Sequence, residues 1–308
     1  MIYKKWLQLW LDNYIKPSCK ARTVIRYEQI IDRHLIKELG EYDLKELTPH
    51  ILQQFVAGKL KNGNIRTGGG LSSNTVNCII SVIQASLKMA NALSYTDDYV
   101  GDKIVRPKIA EKQVVCFSIK EQEKIEKYII NANKIKLYGI ILCLYTGLRI
   151  GELMALQVSN INLEKKILMV NKSCYDSKSG RILETPKTSS STRVIPLPKS
   201  ILCYLKKLIK NTTCNYLMVD NNKPISVRSY QRSFELLLVK LKIEHKGFHA
   251  LRHTFATRAL ECGMDVKAVA EILGHKNATI TLNRYVHSMF DYKQTMMNKL
   301  GKNLTKLS

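Results

Sequence analysis

The sequence predicts a multidomain protein, mainly α-helical, with a helical first domain and an α+β second domain carrying a small antiparallel β-sheet. Three observations predict it. Apolar residues recur at helical spacing through the first hundred residues. Residues 106–117, RPKIAEKQVVCF, mix Pro and charge with no helical period and read as a linker. Strand-like runs, Ile167-Leu168-Met169-Val170 and Arg193-Val194-Ile195-Pro196-Leu197, then stand between helical stretches. With 308 residues in all, each half is long enough to bury a core.

The first domain spans 1–105. Trp6, Leu7, Leu9, Trp10, Leu11 and Tyr14 set the period of its opening helix. Residues Thr23 to Leu39 repeat apolar positions at Val24, Tyr27, Ile31 and Leu35, and Gly40 stops them. Thr48-Pro49 opens a third helix, with Thr as N-cap and Pro at the first helical position. A polar loop from Asn62 ends in Gly68-Gly69-Gly70. Ser72 or Ser73 then starts a fourth helix that faces Val76, Ile79, Ile80, Ile83 and Leu87 inward.

The second domain spans 118–287 and opens on a capping box, Ser118 with Glu121. Helices fill 119–155 and resume from about 198, with the strands between them. Asp176 to Gly180 reads as a turn or short insertion. The tail, 288–308, holds Met289, Phe290, Tyr292, Met296, Met297 and Leu300 at helical spacing.

Charge narrows the partner. The chain carries 49 Lys plus Arg against 25 Asp plus Glu, a net +24. That balance suits a polyanion better than an acidic protein or a small neutral substrate. Residues 1–109 hold 16 basic and 10 acidic residues, a net +6; the remainder holds 33 and 15, a net +18. Both halves are therefore suited to the same polyanion. The eight cysteines form no CxxC and read as reduced, mostly structural thiols. There is no signal-peptide cleavage site, and no apolar run approaches the roughly 20 residues that cross a bilayer. A soluble cytoplasmic protein with no membrane partner is expected.

Four segments of the second half place polar residues where a plain core has no use for them. In the first, Thr146-Gly147 ends one helix and Arg149 starts the next, with Glu152 one turn on and able to hold its guanidinium. Lys187 lies in the second, at the edge or tip of a hairpin. The third puts His249 and Arg252 one turn apart on one helix. The fourth joins Gly274-His275 to Tyr285, ten residues beyond His275. Each alone also fits a structural role: a helix ion pair, one of 36 lysines, a cation at a helix C-terminus, one of 15 tyrosines.

Taken in order, TGLRIGEL, PKTSSSTRVIPL, HALRHTFAT and LGHKNATITLNRYVH resemble the catalytic boxes of the tyrosine site-specific recombinases, the phage-integrase family. The likeness covers about residues 118–290; the helical first half resembles the family's core-binding domain more loosely. The resemblance implies a SAM-like core-binding domain and a catalytic domain of the DNA breaking-rejoining fold, a C-shaped clamp around duplex DNA. It implies Arg149, Lys187, His249, Arg252, His275 and Tyr285 as catalytic residues, with Glu152 in support. Tyr285 attacks the phosphodiester and forms a 3′-phosphotyrosine link, so no ATP or other cofactor is required. Two arginines suit the nonbridging oxygens because a guanidinium is a fixed fork that lysine lacks. With so many cations from the protein, no catalytic metal is expected.

The implied partners are double-stranded attachment sites, further copies of the chain in a tetramer on DNA, and an accessory excisionase or DNA-bending protein. The tail either packs on its own domain or docks on a neighbouring protomer. Backbone grip is expected from Lys20, Arg22 and Arg26 at the second helix, Arg66 and Thr75 beside the fourth, and Arg193. For any one of these, solvated surface charge is the plainer alternative. A straight helix would set His275 and Tyr285 about 15 Å apart, too far to share one phosphate. A break in chain direction is therefore expected near 274–278.

Within the family, the extended 171–185 segment before ETPKTSSSTRVIPL points to an integrase of a phage or conjugative transposon in a bacterium. The start at WLQLWLDNYIKP implies that the small arm-binding domain of such integrases is missing or truncated. A chromosome-dimer resolvase, a type IB topoisomerase and a non-catalytic DNA-binding regulator are the competing readings.

Overall fold

In the computed structural model the chain divides into two compact units, Met1–Lys112 and Gln113–Ser308. The structure describes all residues except 111–113, 178–179, 185–191, 213, 222, 276, 278, 280–293, 295–296, 299, 302–303 and 305–308.

The first unit is helical. Helix α1 covers 3–18 and α2 covers 21–39, each containing a π-helical turn, at Leu11–Ile15 and Ile31–Leu35. Thr48 Oγ1 accepts from the Ile51 amide at 3.3 Å and so caps α3, Pro49–Asn62, whose first residue is proline. Ser72 is the cap of α4, Ser73–Ala92, accepting from the Thr75 amide at 3.3 Å. Burial follows the sequence period: Trp6, Trp10, Leu35, Val76, Ile79, Ile80 and Ile83 are at most 2% exposed. The indole of Trp6 donates to the Ser86 carbonyl at 3.1 Å, which gives its buried N–H a partner.

The stretch read as a linker is tied down at both ends. The Val105 amide donates to Gln53 Oε1 at 2.9 Å, and Arg106 donates to Gln84 Oε1 at 2.6 Å, so these residues stay with the first unit. At the other end Phe117 is fully buried, packs edge-on against Phe234, and donates its amide to Thr254 Oγ1 at 2.8 Å. An aperiodic sequence signals the lack of a helix, not the lack of packing.

The second unit begins with α5, Ile119–Ala132, under a reciprocal Ser118–Glu121 capping box. Helix α6, Tyr138–Thr146, is apolar nearly all round and forms the middle of the core. The short α7, Ile150–Ala155, follows. Strands β1 (Ile161–Asn162), β2 (Ile167–Val170) and β5 (Arg193–Pro196) make an antiparallel sheet in the order β1-β2-β5, with Leu168 opposite Ile195 and Val170 opposite Arg193.

The chain reverses direction within Asp176 to Gly180, where a turn or short insertion was expected, but between two strands that were not. Asp176 and Ser177 end strand β3, Ser173–Ser177, which pairs with β4, Gly180–Glu184, with Asp176 opposite Arg181. The sequence hid this hairpin because its strands are polar and only half-buried. Arg181 anchors it instead: its guanidinium lies 4.6 Å from the Tyr216 ring centroid and donates to the Met154 and Ile225 carbonyls. The region after 198 is also not wholly helical. Between α8, Leu202–Asn211, and α9, Val227–Lys240, lies a small pair, β6 (Val219–Asp220) with β7 (Lys223–Pro224). Helices α10, His249–Glu261, and α11, Val266–Leu273, follow; α10 packs on α6 and α11 packs on α10.

Candidate active site

The site is built on helix ends. Helix α6 stops at Gly147, which takes the left-handed conformation (φ 65°). A Cβ there would stand 2.6 Å from both Leu273 Cδ2 and Phe255 Cδ1, so position 147 needs glycine for shape as well as for φ. The turn sends the chain into α7 with Arg149 as its N-cap residue. Helix α11 stops in the same manner at Gly274 (φ 65°), and the His275 amide donates to the Ala270 carbonyl at 2.9 Å. The chain direction therefore breaks at 274, where a break was expected; on the path to Tyr285, residues 276, 278 and 280–285 lie outside the described residues.

Those two ends bring the arginines together. Arg252 Nη1 donates to the Gly147 carbonyl at 2.8 Å and Nη2 to the Leu273 carbonyl at 2.6 Å. Arg149 Nη1 also reaches the Leu273 carbonyl, at 3.4 Å. A helix C-terminus leaves carbonyls without intrahelical partners and carries partial negative charge, so it is a natural seat for cations. Arg149 and Arg252 differ in access: the Arg149 side chain is 39% exposed, whereas Arg252 is 1% exposed.

Glu152 lies beneath them, 6% exposed. Its Oε1 accepts from Arg149 Nη1 at 2.8 Å and Arg193 Nη1 at 3.1 Å. Its Oε2 accepts from the Arg149 amide at 2.9 Å and Arg193 Nη2 at 2.9 Å. Burial pushes the carboxyl up, but the bonds and charge of Arg193, with Arg149 behind them, outweigh it and hold the pKa at about 2. The supporter expected for Arg149 is thus a buried carboxylate shared by two arginines.

Arg193 is the correction. It was expected as a backbone grip, yet it is 8% exposed and its guanidinium is turned inward onto Glu152 and the Ile272 carbonyl, at 2.6 Å from Nε. Strand alternation explains this: Val194 and Pro196 face solvent, so Arg193 and Ile195 face in. The alternation was legible in the sequence, but an arginine on the inner face is unusual and was read as surface.

His249 is exposed at the first position of α10, and its ring meets that of His253 at 4.6 Å, edge to face. His253 was not among the expected site residues, although the i, i+4 spacing pairs the two rings on one helix face. His275 is half-buried just past the Gly274 turn. Lys187 and Tyr285 lie outside the described residues, as does most of the tail; Gln294, Met297 and Leu300 within it are helical.

In the first unit Lys20, Arg22, Arg26, Arg66 and Thr75 are all exposed. Arg26 donates to Cys78 Sγ at 2.6 Å, which sets the start of α2 beside the first turns of α4, where Thr75 lies. Among the described residues no group of three or more His, Cys, Asp or Glu is placed to hold a metal ion, and no helix is long and apolar enough to cross a membrane.

Residues 115–291 match the phage integrase family, and residues 2–60 match the N-terminal SAM-like domain of phage integrases. The chain is 28% identical to a protein named tyrosine recombinase XerC-like from Caldanaerobacter subterraneus subsp. tengcongensis, over 96% of this chain and 81% of that one. It is 25% identical to the transposase from transposon Tn916 of Enterococcus faecalis, over 94% and 76%. Its fold is similar to that of the Tn1549 transposon integrase, solved in complex with a circular intermediate DNA, with a TM-score of 0.83 at 23% identity, covering 97% of this chain and 99% of that one.

Proposed function

Because the chain belongs to the phage integrase family of tyrosine recombinases, enzymes that break and rejoin DNA strands, we propose that it integrates or excises a mobile element through Tyr285. One observation carries the site: Arg149 and Arg252 converge on the Leu273 carbonyl. Charge is concentrated there before any substrate arrives, and preorganised charge of this kind lowers the barrier to attack on a phosphodiester.

In this reading the exposed fork of Arg149 takes the nonbridging oxygens, with the Arg252 charge beneath. The Tyr285 oxygen attacks phosphorus as the bond to the 5′-oxygen breaks, giving a 3′-phosphotyrosine and a free 5′-hydroxyl. His249 accepts the tyrosine proton, Lys187 protonates the leaving 5′-oxygen, and His275 donates a hydrogen bond to the phosphate. Attack by a 5′-hydroxyl of a second strand reverses the step. One phosphoester bond replaces another, so the bond energy is conserved. The working assembly is a tetramer of the chain on two duplex sites in the cytoplasm, and the tail supplies a contact within or between protomers.

Likeness along nearly the whole chain to the Tn916 transposase supports the mobile-element role. The 28% identity to the XerC-like recombinase favours a second reading, resolution of chromosome dimers. Nicked suicide duplexes carrying the joined ends of the flanking element test the first. Wild-type protein is expected to leave a covalent protein–DNA adduct on denaturing gels and Tyr285→Phe none. An adduct that persists with Tyr285→Phe overturns the nucleophile assignment. Reaction only at a chromosomal dimer-resolution site would transfer the role to the second reading.

A further inference from the structure

We propose that Arg193 is a positioning residue for Arg149 and Arg252, a role that rests on the recombinase reading above. It fixes Glu152 and the end of α11 together, so that Arg149 and Arg252 present one preset pair of charges.

Three contacts carry this, in three directions. The first is the fork on Glu152, at 3.1 and 2.9 Å. Arg149 is 39% exposed and free to trade its carboxylate for water, so it cannot alone hold a carboxylate this deeply buried. Arg193, with a side chain 6% exposed, fills the inner half of the acceptor sites and leaves the outer half to Arg149. The second contact is Nε to the Ile272 carbonyl at 2.6 Å, one residue before the carbonyl that both site arginines share. The third is steric. A Cβ on Gly274 would lie 3.1 Å from both Cδ and Nη1 of Arg193, so the side chain backs directly onto the turn that presents the Leu273 carbonyl.

A lysine cannot reproduce this set. It offers one compact charge, where the geometry here requires a planar fork plus a third donor at an angle to it. Misplacing a catalytic group by about 1 Å costs on the order of 100-fold in rate.

The test uses full-length protein on two suicide duplexes, one with an ordinary scissile phosphodiester and one with a methylphosphonate at that position. The second lacks the negative charge that the arginines serve. Arg193→Lys and Arg193→Gln are each compared with wild type for single-turnover adduct formation and for DNA affinity. The expected result is a fall of about 100-fold on the phosphodiester. On the methylphosphonate the fall is expected to be much smaller, with DNA affinity unchanged. The ratio of the two rates within one preparation does not depend on how much of the variant is folded. Should a variant prove too unstable to assay, Glu152→Gln/Arg193→Gln removes both charges together and the same ratio is read. An equal fall on both substrates, or no fall, overturns the proposal and leaves Arg193 a stabilising residue only. Absence of adduct from wild type on the phosphodiester would instead overturn the recombinase reading itself.

Discussion

At the scale of single residues, the stability of the site is tied to one proton. The Glu152 carboxyl is held at about 2 in the folded chain against an ordinary 4.5. A depressed carboxyl contributes stability that is present above its unfolded pKa and is lost as pH falls through its folded one. The contribution of Glu152 is therefore full above about pH 4.5 and fades toward pH 2. Replacing it by glutamine removes this dependence, so the stability difference between wild type and Glu152→Gln is expected to shrink as pH falls from 5 to 3 in urea unfolding. A constant difference would mean that the shared carboxylate is not the titrating group. At neutral pH, Glu152→Gln is expected to cost about 3 kcal/mol or more, as breaking a buried pair does. The same residues show how legible the site was. Arg149 with Glu152, and His249 with Arg252, were legible as pairs three residues apart that share a helix face, but it was the resemblance to the family's boxes, not the spacing, that singled them out. The role of Arg193 was not legible, since its partners Glu152 and Ile272 are 41 and 79 positions away and no local pattern encodes them.

At the scale of elements, helix ends matter more than helix middles. The caps Thr48, Ser72 and Ser118 were legible because an N-cap is a local hydrogen bond between near neighbours. The β3–β4 hairpin was not, because Arg181 holds it through residues distant in sequence, Met154, Tyr216 and Ile225. The Gly147 turn gives a sharp prediction. Alanine there meets both a left-handed φ and a Cβ 2.6 Å from Leu273 and Phe255. Strain and overpacking together are expected to cost about 2–4 kcal/mol. Gly274→Ala, where the nearest atoms lie at 3.1 Å and belong to a side chain, is expected to cost about 1–2 kcal/mol and to disturb Arg193. Guanidinium unfolding of the two variants checks the order; equal costs would show that the backbone, not packing, sets both.

At the scale of the whole molecule, each unit has its own core and its own caps. The first closes around Trp6, Trp10 and Ile79 and the second around α6. Residues 1–112 expressed alone are expected to unfold cooperatively, with coincident transitions by circular dichroism and tryptophan fluorescence, since both tryptophans lie in that unit. A net charge of +24 spread over both units predicts steep salt dependence of DNA binding. Arg26 and Arg66 are exposed, and if either grips a phosphate its replacement by alanine is expected to reduce the slope of log K against log salt by about 1. Arg193→Gln is expected to leave that slope unchanged, because its guanidinium is buried on Glu152. A slope that falls with Arg193→Gln would return that residue to the DNA-contacting set. The charge of the chain was plain from composition; which cations face outward was not, because inward-facing arginines are counted with the rest.

Arg252 is seated on main-chain carbonyls, those of Gly147 and Leu273, and Arg149 shares the second of them. No point substitution deletes a carbonyl. In a complete scan of single substitutions, intolerance around these anchors should therefore fall on the residues that aim them, Gly147 and Gly274, while Leu273 accepts other apolar side chains of similar volume. Lineages of this chain can drift in the side chains that flank the anchors, and stay constrained in the two glycines that turn the helix ends toward the site.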